Sequence, residues 1–139
     1  MRYHQPDIVT FNYCKNNKNI EPSYELPTPV TGTDFLNNNN LHGAAWSYIF
    51  RHSIVGSLQF TPGIVYGEDE EFTPQLFLRA ERIFKINTEA YFYRDNKNSV
   101  SHQYHKEKIQ LRMDNSMEVL LHLQQLLDKI PVAERQALN

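Results

Sequence analysis

Phe60-Thr61-Pro62-Gly63-Ile64-Val65-Tyr66-Gly67-Glu68-Asp69-Glu70-Glu71-Phe72-Thr73-Pro74-Gln75-Leu76-Phe77-Leu78-Arg79-Ala80 is the stretch around which the rest of the chain is arranged. It reads as a turn, a short apolar strand, a glycine hinge, four consecutive carboxylates and then a helix. Phe72, Leu76 and Ala80 fall at i, i+4 and i+8 with Phe77 beside them, which predicts a helix from about Asp69 to Arg82. Pro74 has no N–H to contribute, so this reading places it in the first turn. Four acids at a helix start complement the positive end of the macrodipole, roughly 0.3–1 kcal/mol each. A carboxylate crowded by like charges beside a groove is also a candidate proton acceptor. Composition alone does not choose between the two.

Before this stretch, Ala44-Ala45-Trp46-Ser47-Tyr48-Ile49-Phe50 is an apolar block. Trp46 to Phe50 reads as extended, followed by a short helix that Gly56 stops. Trp46 among such neighbours belongs in a core or a groove wall. An indole face also suits the apolar face of a sugar. Earlier still, Ile8, Val9, Thr10, Phe11 and Tyr13 are strong strand formers, and apolar side chains on both faces predict a strand covered on both sides. Such a strand so close to Met1 leads us to expect that the chain begins inside a larger domain. Ile20 to Leu26 reads as a returning strand weakened by Pro22. Thr31-Gly32-Thr33-Asp34 reads as a capped helix start.

After the stretch, Arg82 to Ile86 reads as a strand, Asn87 to Ala90 as a turn, and Tyr91 to Arg94 as a second strand. About Gln103 to Ile130 is one long helix that Pro131 closes. Ile109, Met113, Met117, Leu120, Leu123, Leu127 and Ile130 form an apolar stripe on it. That stripe is expected to pack on the body of the domain or to form a seam with a partner or a second copy of the chain. The organisation read from the residues is mixed α/β, a small mixed sheet with flanking helices, with residues 1–101 as its body and 102–139 as the long terminal helix.

The bulk numbers exclude several classes. With 14 basic and 16 acidic residues the net charge is −2, which argues against a general nucleic-acid binder. Eight Phe, eight Tyr and one Trp argue against disorder. Cys14 is the single cysteine, so no intramolecular disulfide and no cysteine-rich zinc cluster can form. The first residues are polar with no apolar signal region, and no apolar run approaches the ~20 residues a membrane span needs. His102 and His105 stand three apart, but no third metal ligand is near, so a solvated helix start is the simpler reading. There is no glycine-rich phosphate loop and no Gly-x-Ser-x-Gly elbow.

Three segments, in order, resemble bacterial family 2 glycosyltransferases. They are Ala45 to Arg51; Phe60 to Phe72 with its Glu68-Asp69 pair; and Tyr91-Phe92-Tyr93-Arg94 followed by Asn98-Ser99-Val100-Ser101. The resemblance covers about Asp7 to Ser101. It implies a nucleotide-sugar transferase domain of the GT-A type. Asp69 would then be the catalytic base on the acceptor hydroxyl, with Glu68 beside it. Trp46, Arg51, Tyr66 and Arg94 would serve the acceptor side, Trp46 lining the cleft. The implied partners are a nucleotide-sugar donor and a glycan or lipid-linked acceptor. The implied location is cytoplasmic, including the inner face of the membrane. The chain departs from the family in having no Asp-x-Asp, the motif that holds a divalent metal on the sugar diphosphate. It therefore looks like the acceptor-side, C-terminal portion of such an enzyme. No cofactor is expected in these residues, with Mg or Mn expected for the full enzyme, and the portion alone is expected to be inactive. The alternative is a non-catalytic interaction module that uses the aromatic cleft or the final helix.

Overall fold

The computed structural model describes residues 5–15, 27–94 and 105–130. Strand β1 (Ile8–Cys14) lies between β2 (Tyr48–Phe50) and β3 (Ile83–Phe92). It runs antiparallel to β2, with Thr10 opposite Tyr48, and parallel to β3, with Ile8 opposite Ile83. Three helices, α1 (Gly32–Asn38), α2 (Glu68–Leu78) and α3 (Lys106–Leu127), complete a mixed α/β arrangement. The returning strand expected over Ile20 to Leu26 and the segment Asn98 to Ser101 lie outside the described residues.

The core forms where α1 and α2 meet the start of the sheet. Ile8, Phe35, Tyr48, Leu58, Phe72, Leu76, Phe77 and Ile83 are all buried there. Only Ile8 of β1 is fully buried, so the strand is central in the sheet but not covered along its length. Helix α1 starts as the sequence predicts: the Thr31 hydroxyl accepts the Asp34 N–H at 3.1 Å. The extended reading of Trp46 to Phe50 holds for the last three residues, while Ala45–Ser47 form a 3-10 turn.

Helix α2 ends four residues earlier than the periodicity predicts. The reason is Asp7, whose Oδ2 accepts the N–H groups of Glu81 and Arg82 at 3.0 and 3.1 Å. This long-range clamp turns the chain out of the helix and into β3. Pro74 lies inside α2, not in its first turn. It cannot serve the Glu70 carbonyl, and Glu70 is on the exposed side of the helix, where water can. The expected turn over Asn87 to Ala90 is instead part of one continuous strand, β3. The turn-forming residues are absorbed as bulges against β1 around Asn12, which pairs with Glu89, and Asn12 Nδ2 donates to Asn87 Oδ1 at 2.8 Å.

The long helix α3 is where expected, but it docks by a different face. Ile109, Met113, Met117 and Leu120 of the apolar stripe are 44%, 63%, 59% and 61% exposed, while Leu123, Leu127 and Ile130 are half-buried. The buried residues are Asn115 and Val119, with Arg112 and His122 flanking them half-buried. Polar contacts set this choice. Asn115 Oδ1 accepts the backbone N–H groups of Val65 and Tyr66, and His122 Nδ1 meets Glu71 Oε1 at 2.9 Å. Among the described residues no helix is long and apolar enough to cross a membrane.

Candidate functional site

The acidic start of α2 is set by Gly67, whose φ of 78° is left-handed and favours glycine. From it the chain enters the helix at once, with the Glu70 and Glu71 N–H groups donating to the Gly67 carbonyl at 3.0 and 3.2 Å. The four acids then point to different surroundings. Glu68 and Asp69 are half-buried, Glu70 is exposed and Glu71 is buried.

Asp69 Oδ2 accepts the Ala45 N–H at 3.0 Å. This bond ties the start of α2 to the turn that carries Trp46. A carboxylate has about four lone-pair positions, so one N–H leaves acceptor capacity on the same group. Asp69 lines a cleft of about 560 Å³ together with Glu68, Tyr66, His42 and Gly43. At Gly43 the chain passes close to α2: a Cβ would make a tight 3.3 Å contact with the Glu70 side chain. The Gly43 carbonyl accepts the Thr73 hydroxyl at 2.6 Å. That leaves Tyr48 to donate its own hydroxyl to Thr73 Oγ1, at 2.7 Å. Burial pushes the Tyr48 phenol pKa up, and the nearby Asp69 charge adds to the rise.

A second cleft, of about 440 Å³, lies beside the first, between β1, α1 and the loop through His42. Phe35 and Phe77 line it together with Asn12, Asn39, Lys85 and Glu89. His42 borders both clefts. Behind His42 stands Trp46, packed in a cluster of rings. Its indole stacks on Tyr91 at 4.8 Å, meets Tyr13 edge-on at 4.9 Å, and lies 5.0 and 5.3 Å from His42 and Tyr93. Trp46 thus lines neither cleft itself; of the rings it packs on, Tyr13 and His42 do.

The remaining expected site residues are scattered. Tyr66 lines the Asp69 cleft, and the Arg112 guanidinium lies 4.8 Å over its ring. Arg51 lines neither cleft: its Nη2 donates to the Pro6 carbonyl at 3.1 Å, and its Nε is 3.9 Å from Asp7. It fastens β2 to the beginning of the chain. Arg94 follows β3, is exposed, and borders neither cleft. His105 is the residue before α3, while His102 lies outside the described residues.

Nothing in the sequence pattern separates Glu71 from the other helix-start charges, yet its surroundings differ. Glu71 Oε1 accepts the Thr61 hydroxyl at 3.0 Å and meets His122 Nδ1 at 2.9 Å. Asn115, Val119 and His122 together brace the loop and first turn that present Asp69. The signal was present as a polar seam: Arg112, Asn115, Val119 and His122 are spaced three, four and three. Asn115→Ala should therefore leave two backbone N–H groups short of an acceptor and cost about 2 kcal/mol. Chemical denaturation would measure this, and a cost near zero would show that the brace is not needed.

Among the described residues no group of three or more His, Cys, Asp or Glu could hold a metal ion. Comparison with protein-family models, curated proteins and solved structures finds no match.

Proposed function

We propose that these residues are the acceptor-side portion of a family 2 glycosyltransferase of the GT-A type, with Asp69 as general base. The observation that carries the reading is a convergence. The segments around Trp46, Glu68-Asp69 and Tyr91–Tyr93 are far apart in sequence. The Ala45–Asp69 hydrogen bond and the Trp46–Tyr91 stack bring them to one place.

In this reading an acceptor hydroxyl enters the cleft beside Asp69 and gives its proton to the carboxylate as it attacks the anomeric carbon of the donor. The nucleoside diphosphate leaves from the opposite face, which inverts that centre. Glu68 adds negative charge next to the base, and Tyr66 and His42 wall the cleft. The donor and its Mg or Mn belong to a nucleotide-binding half with an Asp-x-Asp, which this chain lacks. Among the described residues no group of His, Cys, Asp or Glu fits a metal, and no step here runs through one. The acceptor is a glycan or is lipid-linked, and the proposed location is the cytoplasm, including the inner face of the membrane.

The test is Asp69→Asn in protein that carries this chain together with a nucleotide-binding half. The amide oxygen can still accept the Ala45 N–H, so the local fold persists. Turnover should fall at least about 100-fold, with donor affinity unchanged. Wild-type turnover in that variant would sink the assignment. A reading as a non-catalytic interaction module is favoured by one observation, the exposed apolar face of α3.

A further inference from the structure

The second cleft, of about 440 Å³, takes no part in the chemistry at Asp69, yet its lining has a definite character. Its base is apolar, made by the buried rings of Phe35 and Phe77. Around them stand amides from two parts of the chain, Asn12 on β1 and Asn39 and Asn40 after α1, with Lys85 from β3. Part of this polar lining is uncommitted. Lys85 Nζ donates to Asn39 Oδ1 at 2.9 Å, which leaves two of its three donors. Asn40 is exposed, and among the described residues its amide makes no hydrogen bond. An amide both donates and accepts, as a hydroxyl does. A ring that carries several hydroxyls and an apolar C–H face therefore matches amides set around an apolar base. A phosphate-bearing ligand matches less well, because the Lys85 ammonium is offset by the Glu89 carboxylate in the same lining.

His42 stands where the two clefts adjoin, since Leu41 and His42 line both. The imidazole is held by packing, 5.0 Å from the Trp46 ring and 6.0 Å from that of Tyr13. It is nevertheless exposed, and among the described residues its ring nitrogens make no hydrogen bond. A side chain fixed in place with its polar atoms free is preorganised for a ligand. The neutral ring offers one donor and one acceptor, which suits a hydroxyl on either side of it. Both cleft volumes fall within the roughly 300–1,000 Å³ of small-molecule sites, so neither is too small for a sugar ring.

We propose that the second cleft is a subsite for the next sugar unit of the acceptor, so that the preferred acceptor is at least a disaccharide bridging both clefts across His42. This rests on the Asp69 cleft being the acceptor site. The test is an NMR titration of the 15N-labelled whole chain with glucose, cellobiose and cellotriose, and with N-acetylglucosamine and its β-1,4-linked dimer and trimer. In one series or the other the disaccharide should move the amide signals of Glu68, Asp69 and Glu70 together with those of Asn40, His42 and Lys85. It should bind at least about tenfold more tightly than its monosaccharide, the gain from two further hydrogen bonds. Asn40→Ala combined with Lys85→Ala, both exposed positions, should remove that gain and leave monosaccharide affinity and thermal melting unchanged. Disaccharide shifts confined to the Asp69 cleft, an affinity that does not rise with length, or a gain that survives the double substitution overturns the proposal and leaves the Asp69 reading standing. Shifts confined to the second cleft, or no binding in either series, overturn that reading and the proposal with it.

Discussion

Phe77→Ala should cost about 3–5 kcal/mol, among the largest losses a single substitution can cause. Phe77 is fully buried at the centre of the core. Its ring lies 5.3 Å from Phe35 and meets Tyr48 edge-on at 5.1 Å, so it joins α1, α2 and β2. It also borders the cleft through His42, and the cavity left behind would open into that cleft. The surrounding groups are aromatic and pinned, Tyr48 by its hydrogen bond to Thr73, so they can collapse only partly. Domains of this size are stable by about 5–15 kcal/mol, so the variant would keep little margin. Urea denaturation should show a lower midpoint at an unchanged slope. A loss below about 1 kcal/mol would mean that the core is not organised around this ring.

Gly32→Ala is the second large effect, and it acts by addition. Gly32 begins α1 and donates its N–H to the Ala80 carbonyl at 2.8 Å. A Cβ there would stand 1.7 Å from the Phe77 carbonyl oxygen and 2.6 Å from its carbon. Both atoms are backbone, so no rotamer change relieves the clash. Helix α1 would have to move off the end of α2, carrying Phe35 out of the core with it. Overpacking commonly costs about 1–3 kcal/mol, and a backbone clash of this depth should reach or exceed the upper figure. Thermal melting would show it as a large drop for one methyl group. The neighbouring Thr33→Ala is the control and should change little. Equal melting of wild type and Gly32→Ala would contradict the close approach of α1 and α2.

Much of this fold is legible in the sequence, and the parts that are not have identifiable causes. The Thr31 cap, the strand through Ile8, the acidic helix start and the existence of the final helix follow from local rules, although that helix runs Lys106–Leu127 inside the expected span of about Gln103 to Ile130. The end of α2 does not, because Asp7 determines it from more than seventy residues away. The Asn87 to Ala90 stretch carries turn residues, yet pairing with β1 keeps it in a strand. The docked face of α3 is not the one hydrophobic periodicity picks out, because periodicity finds apolar residues. The actual contact is made by Asn115 and His122, which satisfy backbone N–H groups and a buried carboxylate. At the site, the sequence brought Asp69, Glu68 and Tyr66 forward, and these line one cleft. It could not place Arg51 or separate Glu71 from its neighbours, since both depend on partners distant in the chain.

An acceptor-side portion of a sugar transferase, as proposed, would bind saccharides and not nucleoside diphosphates. Trp46 is the only tryptophan, and it packs on His42, which borders both clefts. Its emission therefore reports what enters them. Titration with a panel of oligosaccharides should shift or quench that emission in a saturable way, while nucleoside diphosphates with Mn²⁺ should leave it unchanged. Silence toward every saccharide, or tight binding of a nucleoside diphosphate, would contradict that proposal.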